Sequence, residues 1–455
     1  MKYKSTRGKI RGLSFKEAVM TGLAGDGGLL VPEEIPCPDI YAWQKLSYQE
    51  LAYEIYSLFC DDIPSPELKA LIKISYADFR REEVVGIRDI SGIKLLELFY
   101  GPTLSFKDIA LQFLGNLFEY ILKQDQTRLN VLGATSGDTG SAAIYGLKGK
   151  SNIKVFILHP FQKVSPVQEM QMTTVKDLNV FNIALKGSFD DCQKIVKDIF
   201  SLSDFKQTYS LGAVNSINWV RILAQTVYYF YAFFRCGEDK LDFSVPTGNF
   251  GDIFAGYLAK KMGLPIRRLI LATNENDILS RFVNQGDYSI GTVVNTISPA
   301  MDIQIASNFE RYLYYFYGQD ADKTVSAMNI FQTEGALRFS GSEIKRVSDD
   351  FASYSVNTEE AMSVIKDVYQ SDNYFLCPHT ACGVGAARKC RDKIATIALA
   401  TAHPAKFPEV VSKSTGAELQ VPPQLAGLEN LEKRMVVLDN SRDQVKAYIE
   451  QNADG

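Results

Sequence analysis

From about residue 93 onward, short apolar segments alternate with amphipathic helical segments. Six apolar segments have the length and composition of buried strands: Ile93–Phe99, Leu129–Gly133, Ile153–His159, Asn179–Leu185, Asp242–Pro246 and Arg267–Thr273. Strands that alternate with helices along a chain form parallel sheets joined by crossover helices. The pattern therefore predicts an α/β fold with parallel sheets flanked by helices. Because such sheets bind ligands at the carboxyl ends of their strands, residues that directly follow a strand are the candidates for function.

The first 92 residues have a different pattern, with few strand signals. Ser14–Glu17 and Ser47–Glu50 each have the Ser-x-x-Glu spacing of a helix capping box. Ser65 and Pro66 place a proline at the start of a third helix, where its missing N–H costs nothing. We therefore predict a mainly helical N-terminal domain. The chain has 455 residues, which is long enough for two or three domains.

Composition excludes several classes of function. Lys and Arg total 49 against 53 Asp and Glu, a net charge of -4, whereas nucleic-acid binders usually carry a basic surplus. The partners are therefore expected to be small molecules. Seven scattered cysteines, an odd number, indicate reduced thiols and a cytoplasmic protein. The aromatic run Val227–Phe234 is far shorter than the roughly 20 residues of a membrane span, so it predicts a buried helix and no membrane partner.

Two glycine-rich loops follow predicted strands and open helices. They are Val131–Gly140 and Val245–Asp252. Glycines at such positions let backbone N–H groups approach an anion at a helix N-terminus, where the helix dipole also favours negative charge. Neither loop has the sequence of a P-loop or of a dinucleotide-binding loop, so a nicotinamide cofactor has no support. The alternative is that each loop is only a tight turn between strand and helix.

Lys107 occupies an unusual position for a cation. The segment Thr103–Asp108 follows a predicted strand and opens a helix at about Phe106, so Lys107 falls in the first turn, where the helix dipole disfavours positive charge. If the side chain is enclosed, loss of solvation lowers its pKa and frees the amine for Schiff-base chemistry. The alternative is an ordinary solvated lysine on the surface.

Further polar segments could hold an anion or a metal. Asn215 to Arg221 begins a long helix with polar groups, and Lys163 and Ser165 follow another predicted strand. Both segments favour an anion, although ordinary helix capping explains them equally well. The segment from Cys377 to Cys382 contains His379, but its spacing matches no standard zinc site. No metal is therefore predicted.

Nine segments together resemble the threonine synthase family, and they occur in order from residue 5 to residue 407. In order along the chain they read STRG with FxEAVxxGLAxDGGLxVP, SFKD, GATSGDTGSA, HPxxKVSPVQxxQM, NSINWxRI, VPTGNFGD, SPxMDIxxxSNFER, PHTACG and TAHPAKF. The resemblance implies a pyridoxal-phosphate (PLP) enzyme of fold type II, similar to the β subunit of tryptophan synthase.

The same resemblance implies a role for individual residues. Lys107 would form the Schiff base with the cofactor, and Asp138 would lie near the cofactor's phenolic oxygen. Thr401 would meet the pyridine nitrogen. The remaining residues fall into three groups: a phosphate cradle of Gly248, Asn249, Phe250, Gly251 and Asp252; a substrate-carboxylate site of Ser136, Gly137 and Thr139; and a substrate-phosphate site of Lys163, Ser165, Asn215 and Arg221.

The family converts O-phosphohomoserine and water to L-threonine and inorganic phosphate by γ-elimination and then β-addition of water. Freed Lys107 would act as the base at Cα and later carry protons, while the cofactor stabilises the carbanion. The resemblance also implies three domains: an N-terminal domain over residues 1–92, a large cofactor domain over 93–145 and 210–455, and a small mobile domain over 146–209. A monomer or a homodimer is expected.

Two residues depart from the family pattern. Cys377 stands where an acid is common before PHTA, and Asp252 stands where Asn is common after GNFG. A carboxylate beside a bound phosphate is unfavourable unless it points away or pairs with Lys or Arg. Three alternatives remain open: a threonine-synthase-like phospho-lyase that yields a 2-oxo acid and ammonia, a serine or threonine dehydratase, and a binding protein that has lost catalysis.

Overall fold

The computed structural model describes residues 1–454, which form two compact units. Fifteen strands are present among them: β1 Tyr3–Ser5, β2 Leu30–Pro32, β3 Gly86–Ile90, β4 Ile93–Glu97, β5 Leu129–Ala134, β6 Ile153–Pro160, β7 Val180–Lys186, β8 Leu211–Gly212, β9 Leu241–Pro246, β10 Ile266–Thr273, β11 Asp287–Ser289, β12 Ala336–Arg338, β13 Phe351–Ser355, β14 Thr396–Ala400 and β15 Val436–Asp439.

The same residues contain eighteen α-helices: α1 Phe15–Thr21, α2 Tyr48–Ser57, α3 Ser65–Tyr76, α4 Lys107–Asp125, α5 Asp138–Leu147, α6 Pro166–Thr173, α7 Phe189–Phe200, α8 Ser203–Thr208, α9 Trp219–Cys236, α10 Gly251–Lys261, α11 Ile278–Gln285, α12 Phe309–Phe316, α13 Ala321–Glu334, α14 Gly341–Ser348, α15 Thr358–Asp372, α16 Pro378–Lys389, α17 Pro408–Thr415 and α18 Arg442–Asn452.

The first unit comprises residues 1–72, 79–100 and 216–420. Its main sheet has six strands in the order β13-β10-β9-β14-β4-β3. All neighbouring pairs are parallel except β3 and β4, which form an antiparallel hairpin. The hairpin turns at Ser91 and Gly92, whose φ angles of 44° and 76° match the backbone twist that a tight hairpin needs. Helix α16 packs on β9, β10 and β14 and closes one part of the core.

The second unit comprises residues 73–78, 101–215 and 421–455. Its five strands are all parallel, in the order β15-β7-β6-β5-β8. Helix α7 packs on β5 and β6, and α18 packs on α7. The core of this unit includes side chains from β5, β6, β7, α7 and α18. The C-terminal strand β15 therefore extends a sheet whose other strands lie between residues 129 and 212, and α18 packs on the same core.

The α/β fold with parallel sheets is confirmed, and each of the six predicted strands exists within a residue or two of its predicted ends. Both capping boxes are also confirmed, at Ser14 of α1 and Ser47 of α2. The hairpin of β3 and β4 is the exception to the parallel pairing of the main sheet.

The boundaries of the two compact units differ from those of the three predicted domains. Residues 1–72 fall in the first unit, where α2 packs on α9 and the rings of Trp43 and Phe230 lie 5.8 Å apart. Residues 101–145 and 421–455 fall in the second unit, because α4 packs on α5 and β15 pairs with β7. The mobility of residues 146–209 stays a prediction.

Helices α4 and α5 of the second unit cross at glycines. A Cβ atom on Gly115 of α4 would lie 2.0 Å from the Gly146 carbonyl oxygen, and one on Gly146 of α5 would lie 2.4 Å from the Leu111 carbonyl oxygen. Such distances are far below van der Waals contact, so only glycine allows the two backbones to approach this closely. The crossing fixes the spacing of two helices whose first residues are Lys107 and Asp138.

The aromatic run in α9 is buried as predicted, with side chains from Val227 to Phe234 lying 8% exposed or less. Among the described residues, none of the helices combines the length and the hydrophobicity that a membrane-spanning helix requires.

Candidate active site

Lys107 is the first residue of α4, and its side chain is only 11% exposed. The preceding loop is held by Asp108, which is fully buried. Its carboxylate accepts hydrogen bonds from the Thr103 backbone N–H at 2.8 Å and from the Thr103 hydroxyl at 2.7 Å. The carboxylate lies in the first turn of the helix, where negative charge is favourable. The loop therefore fixes the start of α4. Because the Lys107 side chain is largely buried, the alternative of a solvated surface lysine is wrong.

Asp138 places a negative charge beside Lys107. Its Oδ2 lies 3.9 Å from the Lys107 Nζ, and its side chain is 7% exposed. Asp138 is the first residue of α5, directly after the glycine loop that follows β5. The structure thus brings two of the predicted site residues together at the starts of neighbouring helices.

Gln168 on α6 orients this aspartate, although the sequence analysis gave it no role. Its Nε2 donates to Asp138 Oδ1 at 2.7 Å, and its Oε1 lies 3.0 Å from the Ser165 hydroxyl oxygen. A Cβ on Gly137 would lie 2.5 Å from the same Oε1, and the φ of 155° at this position is one that residues with a side chain rarely adopt, so glycine is favoured there. The position of Gln168 three residues after Ser165, in the HPxxKVSPVQxxQM segment, is the only signal in the sequence that points to it.

The three residues predicted to bind the substrate carboxylate lie in the turn from β5 into α5. Ser136 is exposed, Thr139 is half-buried and Gly137 is buried. The backbone N–H of Gly137 donates to the Thr135 hydroxyl oxygen at 3.0 Å, and the N–H of Gly140 donates to the same oxygen at 2.9 Å. A carboxylate that binds the Gly137 N–H must therefore replace an existing hydrogen bond.

The four residues predicted to bind the substrate phosphate are divided between the units. Lys163, Ser165 and Asn215 belong to the second unit, and Arg221 belongs to the first. Lys163 is exposed, whereas Ser165 caps α6 and accepts a hydrogen bond from the Gln168 N–H at 3.4 Å. Capping thus accounts for Ser165 in the absence of substrate, as the alternative interpretation expected.

Arg221 lies in the first turn of α9 and is 4% exposed. Burial lowers the pKa of its guanidinium to about 10. The predicted contact of Arg221 with the substrate phosphate stays a prediction.

The predicted phosphate cradle lies in the first unit, between β9 and α10. A Cβ on Gly248 would lie 2.6 Å from the Ala300 carbonyl oxygen, so this position requires glycine. Phe250 has a φ of 61°, and its buried ring packs against Phe309 at 5.7 Å. The ring contact holds the turn that precedes Gly251, the first residue of α10, whose leading N–H groups have no acceptor within the helix.

Asn308 is hydrogen-bonded to the backbone of the predicted phosphate cradle. Its backbone N–H and its side-chain Nδ2 both donate to the Asn249 carbonyl oxygen, at 3.0 and 3.1 Å. Arg311, which is fully buried, donates in turn to the Asn308 Oδ1 and to the Leu30 carbonyl oxygen. Burial lowers the pKa of Arg311 to about 9. The SNFER segment therefore fixes the position of the Asn249 backbone in the predicted phosphate cradle.

Thr401 follows β14 directly and is 6% exposed. Within residues 1–454 its hydroxyl forms no hydrogen bond, so it is available to a ligand.

Three family models match the chain. Residues 2–76 match the threonine synthase N terminus, residues 93–342 match the pyridoxal-phosphate dependent enzymes, and residues 380–449 match the threonine synthase C-terminal model. Threonine synthase from Saccharomyces cerevisiae is 47% identical and aligns with 99% of this chain and 97% of its own length. The chain belongs to the threonine synthase family.

Solved structures agree with this family. The crystal structure of PLP-bound threonine synthase from Brucella melitensis is 42% identical, covers 100% of both chains and superposes with a TM-score of 0.97. A human protein described as threonine synthase-like 2 is 35% identical over 96% of this chain and 94% of its own length. The chain is a PLP-dependent lyase of fold type II, as the sequence predicted.

The residues present in this threonine synthase family member fit that cofactor. Lys107 offers an enclosed primary amine, which is what the PLP aldehyde requires. The glycine turn before α10 offers N–H donors close to its backbone, which is what a phosphate group requires. Thr401 offers a neutral hydroxyl for the pyridine nitrogen. The aldehyde, the phosphate and the pyridine nitrogen of PLP therefore each have a matching group among the described residues.

The departure at Cys377 is explained by helix capping. Cys377 is the N-cap of α16, and its Sγ accepts a hydrogen bond from the Thr380 backbone N–H at 3.4 Å. An acid at an N-cap makes the same type of bond, so the thiol keeps the capping function with a weaker acceptor.

The opening STRG segment of the family also has a structural explanation. The Thr6 hydroxyl donates to Glu310 Oε1 at 2.6 Å, and Arg7 donates to both carboxylate oxygens of Glu310 at 3.1 and 2.9 Å. Glu310 lies in the first turn of α12, two residues after Asn308. The first residues of the chain therefore support the phosphate cradle indirectly.

Proposed function

We propose that this chain converts O-phosphohomoserine and water to L-threonine and inorganic phosphate, with Lys107 as its catalytic residue. The observation that carries the proposal is the enclosed Lys107 amine at the start of α4, 3.9 Å from Asp138. An enclosed primary amine can bond to an aldehyde, and once it is free it can act as a base toward a bound substrate.

PLP, when bound, supplies an electron sink for the carbanion that forms at the substrate carbon. Lys107 would hold the cofactor, and as a free amine it can take a proton from the substrate Cα and return a proton at a later stage. Asp138 keeps a negative charge beside the amine, and Gln168 holds that carboxylate in place. In the first unit, Gly248, Asn249, Phe250, Gly251 and Asp252 would hold the cofactor phosphate, and Thr401 its pyridine nitrogen.

The substrate would be bound through its two anionic ends. Ser136, Gly137 and Thr139 supply N–H and hydroxyl donors for the carboxylate, with the Gly137 N–H changing partner from Thr135. Lys163, Ser165, Asn215 and Arg221 supply the donors and the positive charge for the phosphate.

Arg221→Ala is expected to weaken substrate binding more than it slows catalysis. Loss of one charge-assisted contact to phosphate costs about 1.5–3 kcal/mol, which corresponds to a KM increase of roughly tenfold or more. Steady-state kinetics with O-phosphohomoserine measure this change. Arg235→Ala, at the other end of α9, is the matched control. An unchanged KM and kcat in the Arg221 variant would remove Arg221 from the phosphate site.

A single assay tests the proposed function. The purified protein is incubated with PLP and O-phosphohomoserine, and threonine and phosphate are measured together. Equal amounts of threonine and phosphate are expected. Phosphate with a 2-oxo acid and ammonia would identify a phospho-lyase instead, and a protein that forms neither product would contradict the proposal.

The cellular setting follows from the same proposal. We expect a cytoplasmic enzyme, as a monomer or a homodimer, with no nucleic-acid partner. The net charge of -4 and the seven scattered cysteines support this expectation. Size-exclusion chromatography with light scattering distinguishes the two oligomeric states.

A further inference from the structure

Asp252, in the first turn of α10, has a buried carboxyl group bonded to two tyrosines of α9. The residue is 7% exposed. The Tyr228 hydroxyl forms a short hydrogen bond with Oδ1, and the Tyr229 hydroxyl oxygen lies 2.9 Å from Oδ1 and 3.0 Å from the Asp252 carbonyl oxygen. The side chain therefore contacts hydroxyl groups and not Lys or Arg, and no ion pair to it occurs within residues 1–454.

The geometry has room for a proton on this carboxyl group. When Asp252 is ionised, both tyrosine hydroxyls can donate to Oδ1. When it is protonated, Oδ1 can donate to Tyr229, whose own proton then bonds to the Asp252 carbonyl oxygen. The second oxygen, Oδ2, is buried and has no hydrogen-bond partner among the described residues. An ionised carboxylate with one unsatisfied oxygen is costly, so the surroundings favour the neutral acid.

The charged and titratable groups around Asp252 leave its ionisation sensitive to a new charge. Tyr228 and Tyr229 face it from α9, and Tyr228 in turn interacts with Arg221 on its own helix and with Tyr48 of α2. Burial raises the pKa of Asp252 to about 6, although the two tyrosine hydrogen bonds act to lower it. A dianion at the N-terminus of the same helix would disfavour the ionised form further, because like charges repel at short range.

We propose that Asp252 is a positioning residue that takes up one proton when a phosphate group enters the cradle and releases it when the phosphate leaves. The proton binds to the carboxyl group itself, with a tyrosine hydroxyl as its acceptor. This inference rests on the proposed cradle of residues 248–252. The affinity for PLP then depends on whether the Asp252 carboxyl group, which is hydrogen-bonded to tyrosines of α9, carries a proton.

The sign of the effect follows from linkage. Below about pH 6 Asp252 is protonated with and without phosphate, so its charge has no influence on PLP binding. As pH rises above that value, the free protein loses the proton first, and PLP binding must then restore it or tolerate the repulsion. In the wild type, PLP affinity therefore falls as pH rises. Asp252→Asn is neutral at every pH, so this variant lacks the Asp252 contribution to the pH dependence.

The experiment measures PLP dissociation from the holoenzyme of the wild type and of Asp252→Asn between about pH 5.5 and pH 8. Ionisation of PLP itself affects both proteins equally and cancels in the ratio of their Kd values. The ratio of wild-type Kd to variant Kd is expected to rise about tenfold across this range, which corresponds to a pKa shift of about one unit. A ratio that does not change with pH would overturn the proposal.

Pyridoxal, which lacks the phosphate, is the matched control ligand. Its Kd ratio is expected to stay constant across the same pH range, because no anion enters the cradle. A pyridoxal ratio that rises as steeply as the PLP ratio would overturn the proposal, since the dependence would then come from another part of the cofactor.

Tyr229→Phe provides a second variant, which keeps the test open if Asp252→Asn folds poorly. Loss of this hydroxyl removes one donor to the ionised carboxylate, so the pH midpoint of the Kd change is expected to move upward. An unmoved midpoint would contradict the role of the tyrosine. A protein that forms threonine but shows a flat ratio refutes this inference alone, whereas a protein that binds no PLP refutes the proposed function as well.

Discussion

Lys107→Ala is expected to abolish threonine formation. Loss of a positioned base alone costs about 10²–10⁴-fold in rate, and the variant also loses the amine that would hold the cofactor. The expected rate is therefore below detection in an assay that measures threonine and phosphate together. The visible absorption of the PLP–lysine linkage should disappear in the same variant, while an unchanged circular dichroism spectrum would show that the variant still folds.

Lys123→Ala is the matched control for this experiment. Lys123 lies in the last turn of the same helix, with its side chain 57% exposed, and it should leave both readouts unchanged. Appreciable threonine formation by Lys107→Ala would contradict the assignment of Lys107 as the catalytic residue.

Gly146→Ala is expected to lower the stability of the protein. Its Cβ would lie 2.4 Å from the Leu111 carbonyl oxygen, which is backbone and cannot rotate away. Overpacking of a helix contact in this way costs about 1–3 kcal/mol in the free energy of unfolding. Because α4 and α5 begin at Lys107 and Asp138, we also expect a lower kcat. Urea unfolding and steady-state kinetics measure the two effects.

Gly341→Ala is the control for the Gly146 substitution. Gly341 begins α14 and has no atom within 4 Å of the added Cβ, so the same chemical change meets no neighbour there. If both variants unfold at the same urea concentration as the wild type, the crossing of α4 and α5 is looser than the structure indicates.

The strands of the fold were predictable because their apolar content is local. The apolar runs at residues 155–158 of β6 and 269–272 of β10 can be read directly from the sequence. The pairing partners were not predictable in the same way. Strand β15 joins β7 across more than 240 residues, and no local signal records which sheet a C-terminal strand will enter. The antiparallel β3 depends on the two-residue turn at Ser91 and Gly92, which the sequence analysis did not recognise.

The site shows the same limit at the level of side chains. Lys107 and the two glycine loops stand out because their residue types are unusual for their predicted positions. Gln168 and Asn308 do not stand out, since amides are common on any surface. Their importance depends on contacts with Asp138 and Asn249, which lie 30 and 59 residues away along the chain. Such partners become visible only when the fold has brought the segments together.

The contact between Arg7 and Glu310 spans 303 residues, and this distance bears on how the protein is made. The N-terminal part of a chain leaves the ribosome first, so Arg7 cannot pair with Glu310 until residue 310 has been synthesised. Strands β5, β6 and β7 are complete much earlier and can pair while translation continues. Domains generally fold as units during synthesis. The nascent chain therefore exposes the apolar faces of α1 and α2 at least until α9, on which they pack, has been synthesised. At this stage we expect molecular chaperones to protect the chain.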